Sequence, residues 1–270
     1  MRIVGIMLLR NEDLFVEQAL RNIMPFCDEV LITDHRSHDR TPQILARLQQ
    51  EFPDRITLHS IAHPRESHEL IRPYAGTDTW IFGVDGDEIY DPAGLARFRA
   101  RLEHGDHADQ WAIFGHVLNV KSWAPSLRTA QGHLAPPCRS MTKLYNFRLI
   151  SDWRGRGCIE RLHGGTVYFK PGFHDMLRVN LHEQQPWDAA SFRCLHLCFL
   201  KRSSLDAAGA PPRKNIMDVN AWTPGKIATK LRALLTGRPA PDWKEQRYAR
   251  GPLVSESFEP FFPNGLPSMP

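Results

Sequence analysis

Apolar residues in the first third of the chain form short, almost continuous runs, and several of these runs are followed directly by polar residues. The runs cover positions 3–9, 30–33, 56–61 and 80–84. Runs of this length without polar alternation are typical of strands buried on both faces, as in parallel sheets. Apolar residues at helical spacing lie between the first three runs, at 15–23 and 42–52. The pattern therefore predicts a β-α-β-α-β unit followed by a fourth strand, the order of a doubly wound α/β sheet.

The second half of the chain has a weaker pattern. We predict strands at 111–120, 141–149 and 166–169, a loop at 121–137, and helices at 189–204 and 226–235. The tail 236–270 is rich in proline, and we expect it to be extended and packed on the domain through its phenylalanines. Because no linker-like stretch divides the remaining chain, we predict one domain over 1–235.

Composition and charge exclude some classes of protein. The 270 residues carry a formal net charge of only +4, from 34 basic and 30 acidic residues spread along the chain. That balance does not indicate a nucleic-acid-binding protein, which would show a basic excess on one face. It suits an anionic small substrate, provided that some arginines gather at one site.

Cysteines and apolar runs indicate the compartment. The chain has five cysteines, and the close pair Cys194 and Cys198 lacks the C-x-x-C spacing, so we expect a reducing environment without disulfides. His196 lies between that pair, which leaves open a zinc site, although buried apolar thiols are the interpretation that we favour.

The longest of the apolar runs, at 3–9, is too short to cross a bilayer, and no signal peptide is evident. We therefore expect a cytoplasmic protein. The helix at 226–235 either covers the core or rests on anionic lipid, so peripheral contact with the inner membrane face stays open.

Three carboxylates follow the predicted strand 80–84 within four positions. They are Asp85, Asp87 and Glu88. Like charges so close need neutralising, and a hard divalent cation such as Mg²⁺ or Mn²⁺ prefers oxygen ligands of this kind. Gly86 suits a turn at which the backbone approaches a ligand closely. The alternative is a solvated acidic turn without a ligand.

Polar clusters at 10–12 and 34–39 also follow predicted strands, like the cluster at 85–88. In open α/β sheets, ligands bind beyond the carboxyl ends of the strands. If the strands are parallel, the three clusters lie along one edge of the sheet, and that edge is the predicted binding site.

These clusters carry a resemblance to a known family. The opening at 3–12, the D-x-x-S-x-D-x-T turn at 34–41 and the D-x-D-E stretch at 85–88 resemble, in order and spacing, the family 2-type glycosyltransferases of the GT-A fold. The resemblance covers about residues 1–120 well and the remainder weakly. It implies a Rossmann-like, mostly parallel sheet flanked by helices, with a less regular acceptor-side part at 121–235.

The resemblance implies an enzyme that transfers a sugar from a nucleotide-sugar, UDP- or GDP-linked, to an acceptor hydroxyl with the help of Mn²⁺ or Mg²⁺. Inversion at the sugar, a glycan or lipid-linked acceptor and a role in bacterial-type surface glycan synthesis are implied with it. Residues 1–120 would then form the nucleotide-sugar-binding half of the domain.

The resemblance also implies roles on the nucleotide side. Arg10, Asn11 and Glu12 would line the nucleotide pocket, and Asp34 would accept hydrogen bonds from the base. Arg10 or Arg36 would pair with phosphate oxygens through the guanidinium group. The alternative for Asn11 is a helix cap. Ser37, Asp39 and Thr41 are expected to cap the next helix rather than to contact a ligand.

On the metal side, Asp85 and Gly86 would approach the ribose or the metal, and Asp87 would bind the metal. His196 would be a further metal ligand, or alternatively a histidine of the core. The segment 201–204 would extend toward the diphosphate or be a solvated helix end.

The general base has three candidates. Relatives carry a His-Glu-like stretch near the acceptor, and here Glu160 occupies the comparable place, while an intact His-Glu occurs only later in the chain. We favour Glu160, then Glu183, then His163. The alternative for Glu160 is an ion pair with Arg156 or Arg161.

Two other functions stay open at this point. A sugar nucleotidyltransferase also uses paired aspartates, but the segment after the first strand lacks the glycine-rich loop of such enzymes. A non-catalytic protein that binds nucleotide or glycan on the same scaffold is the second. A dehydrogenase is not expected, because no G-x-G-x-x-G follows the first strand.

Overall fold

The computed structural model of the protein describes residues 1–64, 66–154, 166–207 and 243–266. It is an α/β structure, as the sequence predicts. The strands are β1 (Arg2–Leu9), β2 (Glu29–Asp34), β3 (Ile56–Ser60), β4 (Thr79–Gly83), β5 (Glu88–Tyr90), β6 (Ala112–Phe114), β7 (His116–Ala124), β8 (Thr129–Ala135), β9 (Lys143–Asn146), β10 (Ile150–Arg154), β11 (Thr166–Phe169), β12 (Arg178–Asn180), β13 (Arg193–His196) and β14 (Val254–Ser257). The helices are α1 (Val16–Ile23), α2 (Thr41–Glu51), α3 (Glu66–Glu69), α4 (Pro92–Glu103), α5 (Leu181–Gln184) and α6 (Trp243–Tyr248).

The main sheet has seven strands in the order β12-β6-β9-β4-β1-β2-β3. Strands β3, β2, β1 and β4 pair in parallel, as do β12 and β6, and among the described strands of this sheet only β9 runs antiparallel to its neighbours. The predicted, mostly parallel sheet is therefore confirmed. Its parallel strands all end at one edge, because β9 runs antiparallel to both β4 and β6.

The run at 3–9 forms β1 because the strand is central and both of its faces are covered. Ile3 and Met7 point into one buried apolar cluster, which includes helices α1, α2 and α4. Val4 and Ile6 point into a second cluster on the opposite face. Side chains of a strand alternate between faces, so a strand with two buried faces has no polar positions in its sequence.

A second sheet adjoins the first, in the order β14-β8-β7-β13-β5. It shows that two predictions were wrong. The predicted loop 121–137 instead contains the end of β7 and all of β8, which form an antiparallel hairpin. The predicted helix 189–204 instead contains β13, paired with β7 and β5. A short apolar run fits a buried helix and a buried strand equally well, so periodicity alone does not separate them.

The acidic stretch leads into two elements that we did not predict. Strand β5 begins at Glu88, and helix α4 follows directly, with the Asp91 carboxylate accepting from the Gly94 backbone N–H at 2.8 Å. Aspartate before proline is a helix-start signal, so the sequence did contain a local sign of α4.

The C-terminal residues up to 266 return to the second sheet. Strand β14 pairs with β8, and Phe258, Phe261 and Phe262 are buried, with the rings of Phe258 and Phe262 against Trp123. The predicted domain boundaries stay predictions. The predicted helix 226–235 lies outside the described residues. Within the described ranges, the helices are too short or too polar to cross a membrane.

Candidate active site

The first two polar clusters meet at the carboxyl ends of β1 and β2. The Asn11 backbone N–H donates to Ser37 Oγ at 2.8 Å, and the Asn11 Oδ1 atom accepts from the His38 N–H at 2.7 Å. Asn11 and Arg36 both adopt left-handed backbone angles, with φ of 54° and 53°. Asn11 therefore joins two loops instead of capping helix α1, which begins only at Val16.

Most side chains of the D-x-x-S-x-D-x-T turn form hydrogen bonds within the protein, so they are not free to bind a ligand. Asp39 Oδ1 accepts from the Thr41 N–H at 2.9 Å, where helix α2 begins, and Thr41 Oγ1 accepts from the Glu12 N–H at 2.8 Å. Asp34 differs from these residues. Its Oδ2 atom accepts from the Ser37 N–H at 3.2 Å, but its Oδ1 atom is buried without a hydrogen-bond partner. A buried oxygen of this kind is available to accept from a ligand.

Two cations neutralise the acidic stretch after β4. Lys143 Nζ lies 2.8 Å from Asp85 Oδ2 and 3.5 Å from Glu88 Oε1. Arg202 Nη1 lies 2.7 Å from Asp87 Oδ2. Asp87 and Glu88 are 2% and 0% exposed, so the alternative of a solvated acidic turn does not hold for them.

These contacts act on the carboxyl groups in opposite directions. Burial opposes ionisation of Asp87, but nearby positive charge, above all that of Arg202, outweighs it, and the pKa of Asp87 lies below its ordinary value. Burial dominates at Glu88, where the nearby Lys143 compensates only in part, and raises the pKa of Glu88 to about 8. The cluster therefore contains one carboxylate held in the charged form and one carboxyl group biased toward the neutral form.

His196 lies beside Asp87 with a defined tautomer. The Asn119 Nδ2 atom donates to the His133 carbonyl, so Asn119 Oδ1 faces His196 Nδ1, at 2.8 Å, and accepts a hydrogen bond from the Nδ1–H group. The other ring nitrogen, Nε2, is then an acceptor, and it lies 3.8 Å from Asp87 Oδ2. Burial lowers the pKa of His196 to about 4, although Asp87 and Asp85 oppose this shift. A neutral imidazole nitrogen therefore faces a carboxylate oxygen, and both atoms are acceptors.

This donor set fits a divalent cation. An oxygen of Asp87 and Nε2 of His196 can bind one Mg²⁺ or Mn²⁺, and the hydrogen bond from Nδ1 to Asn119 is the kind of support that metal-binding histidines have. Asp85 lies across the turn with a partly exposed carboxylate. The described residues contain no group of three or more His, Cys, Asp or Glu that could hold a metal by themselves. Substrate phosphates and water would have to complete the coordination, as is usual for Mg²⁺. Cys194, His196 and Cys198, the residues of the zinc alternative, also form no such group among the residues that the structure describes.

Gly86 is required by packing. A Cβ atom at this position would lie 2.8 Å from Glu12 Cγ and 2.8 Å from Leu9 Cδ2. The turn after β4 is therefore in close contact with the end of β1, and this contact places Glu12 beside Arg202, with 3.4 Å between Glu12 Oε1 and Arg202 Nη1. The close approach expected for a ligand is here made by the protein.

Three residues of the segment 201–204 contact acids of the candidate site, and the predicted approach of this segment to a diphosphate stays a prediction. Besides Arg202, which contacts Asp87, Ser203 Oγ donates to Asp39 Oδ2 at 2.6 Å and Ser204 Oγ donates to Asp13 Oδ2 at 2.6 Å. The sequence analysis gave no role in the site to Lys143 or Asn119, because both are brought to it by strand pairing.

The His182-Glu183 pair follows β12 at the same edge of the sheet. Three strand spacings separate β12 from β4, which corresponds to about 14 Å. Glu183 Oε1 lies 3.8 Å from His182 Nε2, Glu183 Oε2 accepts from Asn180 Nδ2 at 3.2 Å, and the Glu183 side chain is exposed. The candidates Glu160 and His163 lie outside the described residues, as do Arg156 and Arg161.

Comparisons with known proteins give distant structural likenesses. No family model matches the chain, and no curated protein sequence matches it. The chain is similar to Staphylococcus aureus TarS 1-349 in complex with UDP, with 18% identity and a TM-score of 0.40 over 55% of this chain and 48% of that chain. It is similar to Mycobacterium tuberculosis glucosyl-3-phosphoglycerate synthase in complex with Mn²⁺, UDP and phosphoglyceric acid, with 15% identity and a TM-score of 0.39 over 95% and 86%.

A third likeness is to a putative glucose-1-phosphate thymidylyltransferase from Bacillus anthracis, with 13% identity and a TM-score of 0.37 over 54% of this chain and 72% of that chain. The chain spans about half or less of the length of the TarS structures that it matches. Identities and TM-scores of this size assign no activity to the chain.

Proposed function

We propose that the protein is a metal-dependent glycosyltransferase that transfers a sugar from a nucleotide-sugar to an acceptor hydroxyl with inversion. The observation that carries the proposal is the pair of facing acceptors, Asp87 Oδ2 and His196 Nε2, at the carboxyl edge of a mostly parallel sheet. A divalent cation between these two atoms, which lie 3.8 Å apart, would be bound by both of them, whereas Arg202 reaches only the carboxylate oxygen. The motif resemblance at 3–12, 34–41 and 85–88 supports the same function.

The residues along the edge suit the parts of a nucleotide-sugar. Asp34 Oδ1, which is buried and unpartnered, would accept from an N–H of the base. Arg10 and Arg36 follow β1 and β2 with exposed side chains, so either can reach the ribose or a phosphate. Asp87 and His196 would hold Mn²⁺ or Mg²⁺, and Arg202 would then be shared between Asp87 and the diphosphate. The cation would stabilise the negative charge that develops on the departing diphosphate.

The acceptor would approach from the β12 side of the edge, where Glu183 is the base candidate among the described residues. Glu183 would take the proton of the acceptor hydroxyl as its oxygen bonds to the anomeric carbon, while the bond from that carbon to the diphosphate oxygen breaks. His182 lies 3.8 Å from the carboxylate and would orient it. Glu160 remains a second proposal for the same role. We propose a glycan or lipid-linked acceptor, in line with the resemblance.

A thermal-shift panel of nucleotide-sugars with and without Mn²⁺ tests the proposal. A ligand that binds only the folded state raises the melting temperature, so we expect a shift with a UDP- or GDP-sugar that requires the metal. Asp87→Asn should abolish that shift, since it removes a metal ligand. Asp152→Asn is the matched control, because this half-buried aspartate pairs with Arg72 and Arg154 away from the site. A panel without any metal-dependent shift in the unaltered protein would contradict the proposal.

Turnover separates catalysis from binding alone. Glu183→Gln should keep the metal-dependent thermal shift and lower the rate of sugar release from the donor about 10²–10⁴-fold, the usual contribution of a general base. Full activity in this variant would transfer the role to Glu160. Binding without turnover in the unaltered protein, across acceptors, would favour a non-catalytic nucleotide-binding protein.

A further inference from the structure

Helix α6 lies against the candidate site, although it is distant from the other site residues in the sequence. Three contacts fix it there. Lys244 Nζ donates to the Cys198 carbonyl at 3.0 Å, and Glu245 pairs with Lys121. The Tyr248 ring packs edge-on against the His196 ring, with 5.2 Å between centroids. Helix α6 therefore covers the ends of β7 and β13 beside His196.

Lys244 is unusual among the residues of α6 because its charged side chain is only 5% exposed. Burying an ammonium group is costly unless negative charge lies nearby. The turn that carries Asp87 is close to Lys244, because the Leu197 N–H donates to the Asp87 main-chain carbonyl at 2.8 Å, one residue before Cys198, whose carbonyl Lys244 contacts.

We propose that Lys244 is a diphosphate-binding residue of the donor site, so that helix α6 completes a site whose other residues come from the edge of the sheet. This inference rests on the proposed function and names a residue that the motif resemblance does not include. Together with Arg202, Lys244 would flank the diphosphate that the cation at Asp87 and His196 binds.

The charge of Lys244 has opposite consequences for two ligands. A cation beside Asp87 and His196 repels a bare divalent ion. The same cation attracts a metal–nucleoside diphosphate complex, because the diphosphate carries more negative charge than one divalent ion neutralises. A lysine that only holds α6 in place through the Cys198 carbonyl would not affect the two ligands in opposite directions.

The experiment compares Lys244→Met with the unaltered protein in two titrations, one with Mn²⁺ alone and one with UDP or GDP, whichever the unaltered protein binds more tightly, in saturating Mn²⁺. We expect the affinity of Lys244→Met for the nucleoside diphosphate to fall about 10-fold or more, the value of one charge-assisted hydrogen bond. Its affinity for Mn²⁺ alone should stay the same or rise. The matching nucleoside monophosphate should lose less affinity than the diphosphate.

Two further variants keep the test decisive. Lys244→Arg retains the charge and should retain most of the affinity for the diphosphate. Lys170→Met is the matched control, because Lys170 Nζ also donates to a backbone carbonyl, that of Gly76 at 3.1 Å, away from the site, and it should change neither titration. Unchanged diphosphate affinity in Lys244→Met would overturn the inference, as would a parallel loss for Mn²⁺ and the diphosphate. An unaltered protein that binds no nucleoside diphosphate would instead overturn the proposed function, and the inference with it.

Discussion

Two groups of buried acids lie at the same edge of the sheet and are stabilised in different ways. The serine-bound pair consists of Asp13 and Asp39, whose carboxylates accept from Ser204 and Ser203. The cation-bound trio consists of Asp85, Asp87 and Glu88, which contact Lys143 and Arg202. One short segment, 202–204, reaches both groups. The same loop thus contributes neutral donors to one group and a cation to the other.

This difference separates structural from functional carboxylates. Short hydroxyl and backbone donors have fixed geometry and match a carboxylate without bringing charge, so the serine-bound pair joins the loops after β1 and β2 to the segment after β13. A long cationic side chain can be replaced or shared by a metal ion, since both satisfy the same oxygen. The cation-bound trio is therefore the group that we propose to exchange partners when a nucleotide-sugar binds.

The largest expected effect comes from Arg202→Met, which removes one of the two cations that contact the cation-bound trio. Asp87 would remain buried without its closest charge partner, and such a loss costs about 3–5 kcal/mol of unfolding free energy. Urea unfolding without metal would measure this cost. Mn²⁺ should recover part of it and should raise the melting temperature of the variant more than that of the unaltered protein. Equal stabilisation of both proteins by Mn²⁺ would contradict the idea that a metal ion can replace Arg202 at the cation-bound trio.

Asp13→Asn should cost about 1–3 kcal/mol in the same urea experiment, because a buried group loses charge-assisted hydrogen bonds from Ser204. In this variant, Mn²⁺ should not restore the lost unfolding free energy, because the hydrogen-bond donors around Asp13 do not occupy a place where a metal ion would bind. A metal-dependent recovery in this variant would place Asp13 in the same functional group as Asp87.

The pH dependence of Asp13 sharpens the same point. Burial opposes its ionisation, but hydrogen bonds from Ser204 outweigh burial and lower the pKa of Asp13 to about 2, from 3.8. A carboxylate with a lowered folded pKa contributes stability that is present above pH 3.8 and lost as the pH falls toward 2. The difference in unfolding free energy between the unaltered protein and Asp13→Asn should therefore shrink across that window. A constant difference from pH 6 to pH 2 would exclude the assigned role of these hydrogen bonds.

Arg40→Gln has the smallest expected effect. Arg40 Nε lies 3.1 Å from Asp13 Oδ2, but the Arg40 side chain is 67% exposed, and exposed ion pairs contribute about 0–1 kcal/mol. Thermal unfolding at low and high salt would measure it. A loss as large as that of Asp13→Asn would mean that a cation also holds the serine-bound pair, which would remove the contrast between the two groups.

Local patterns allowed part of the fold and site to be predicted. The run at 3–9 indicated a strand buried on both faces, and polar clusters after β1, β2 and β4 indicated one binding edge, because parallel strands end together. The segment 189–204 was mistaken for a helix, since the apolar residues of β13 fit either structure until β5 and β7 pair with it. Glu160, Glu183, His196 and the metal keep their predicted roles as proposals.

The sequence by itself determined where strands β1 to β4 lie, that β1 is buried on both faces and where the carboxylates of the site are placed, because these depend on neighbours a few positions apart. Only the tertiary structure decided which groups neutralise those carboxylates. Arg202 reaches Asp87 across 115 positions, Lys143 arrives through antiparallel pairing of β9 with β4, and Lys244 returns from near the C-terminus. Charge pairing depends on distance in space, and the sequence pattern carries no record of it.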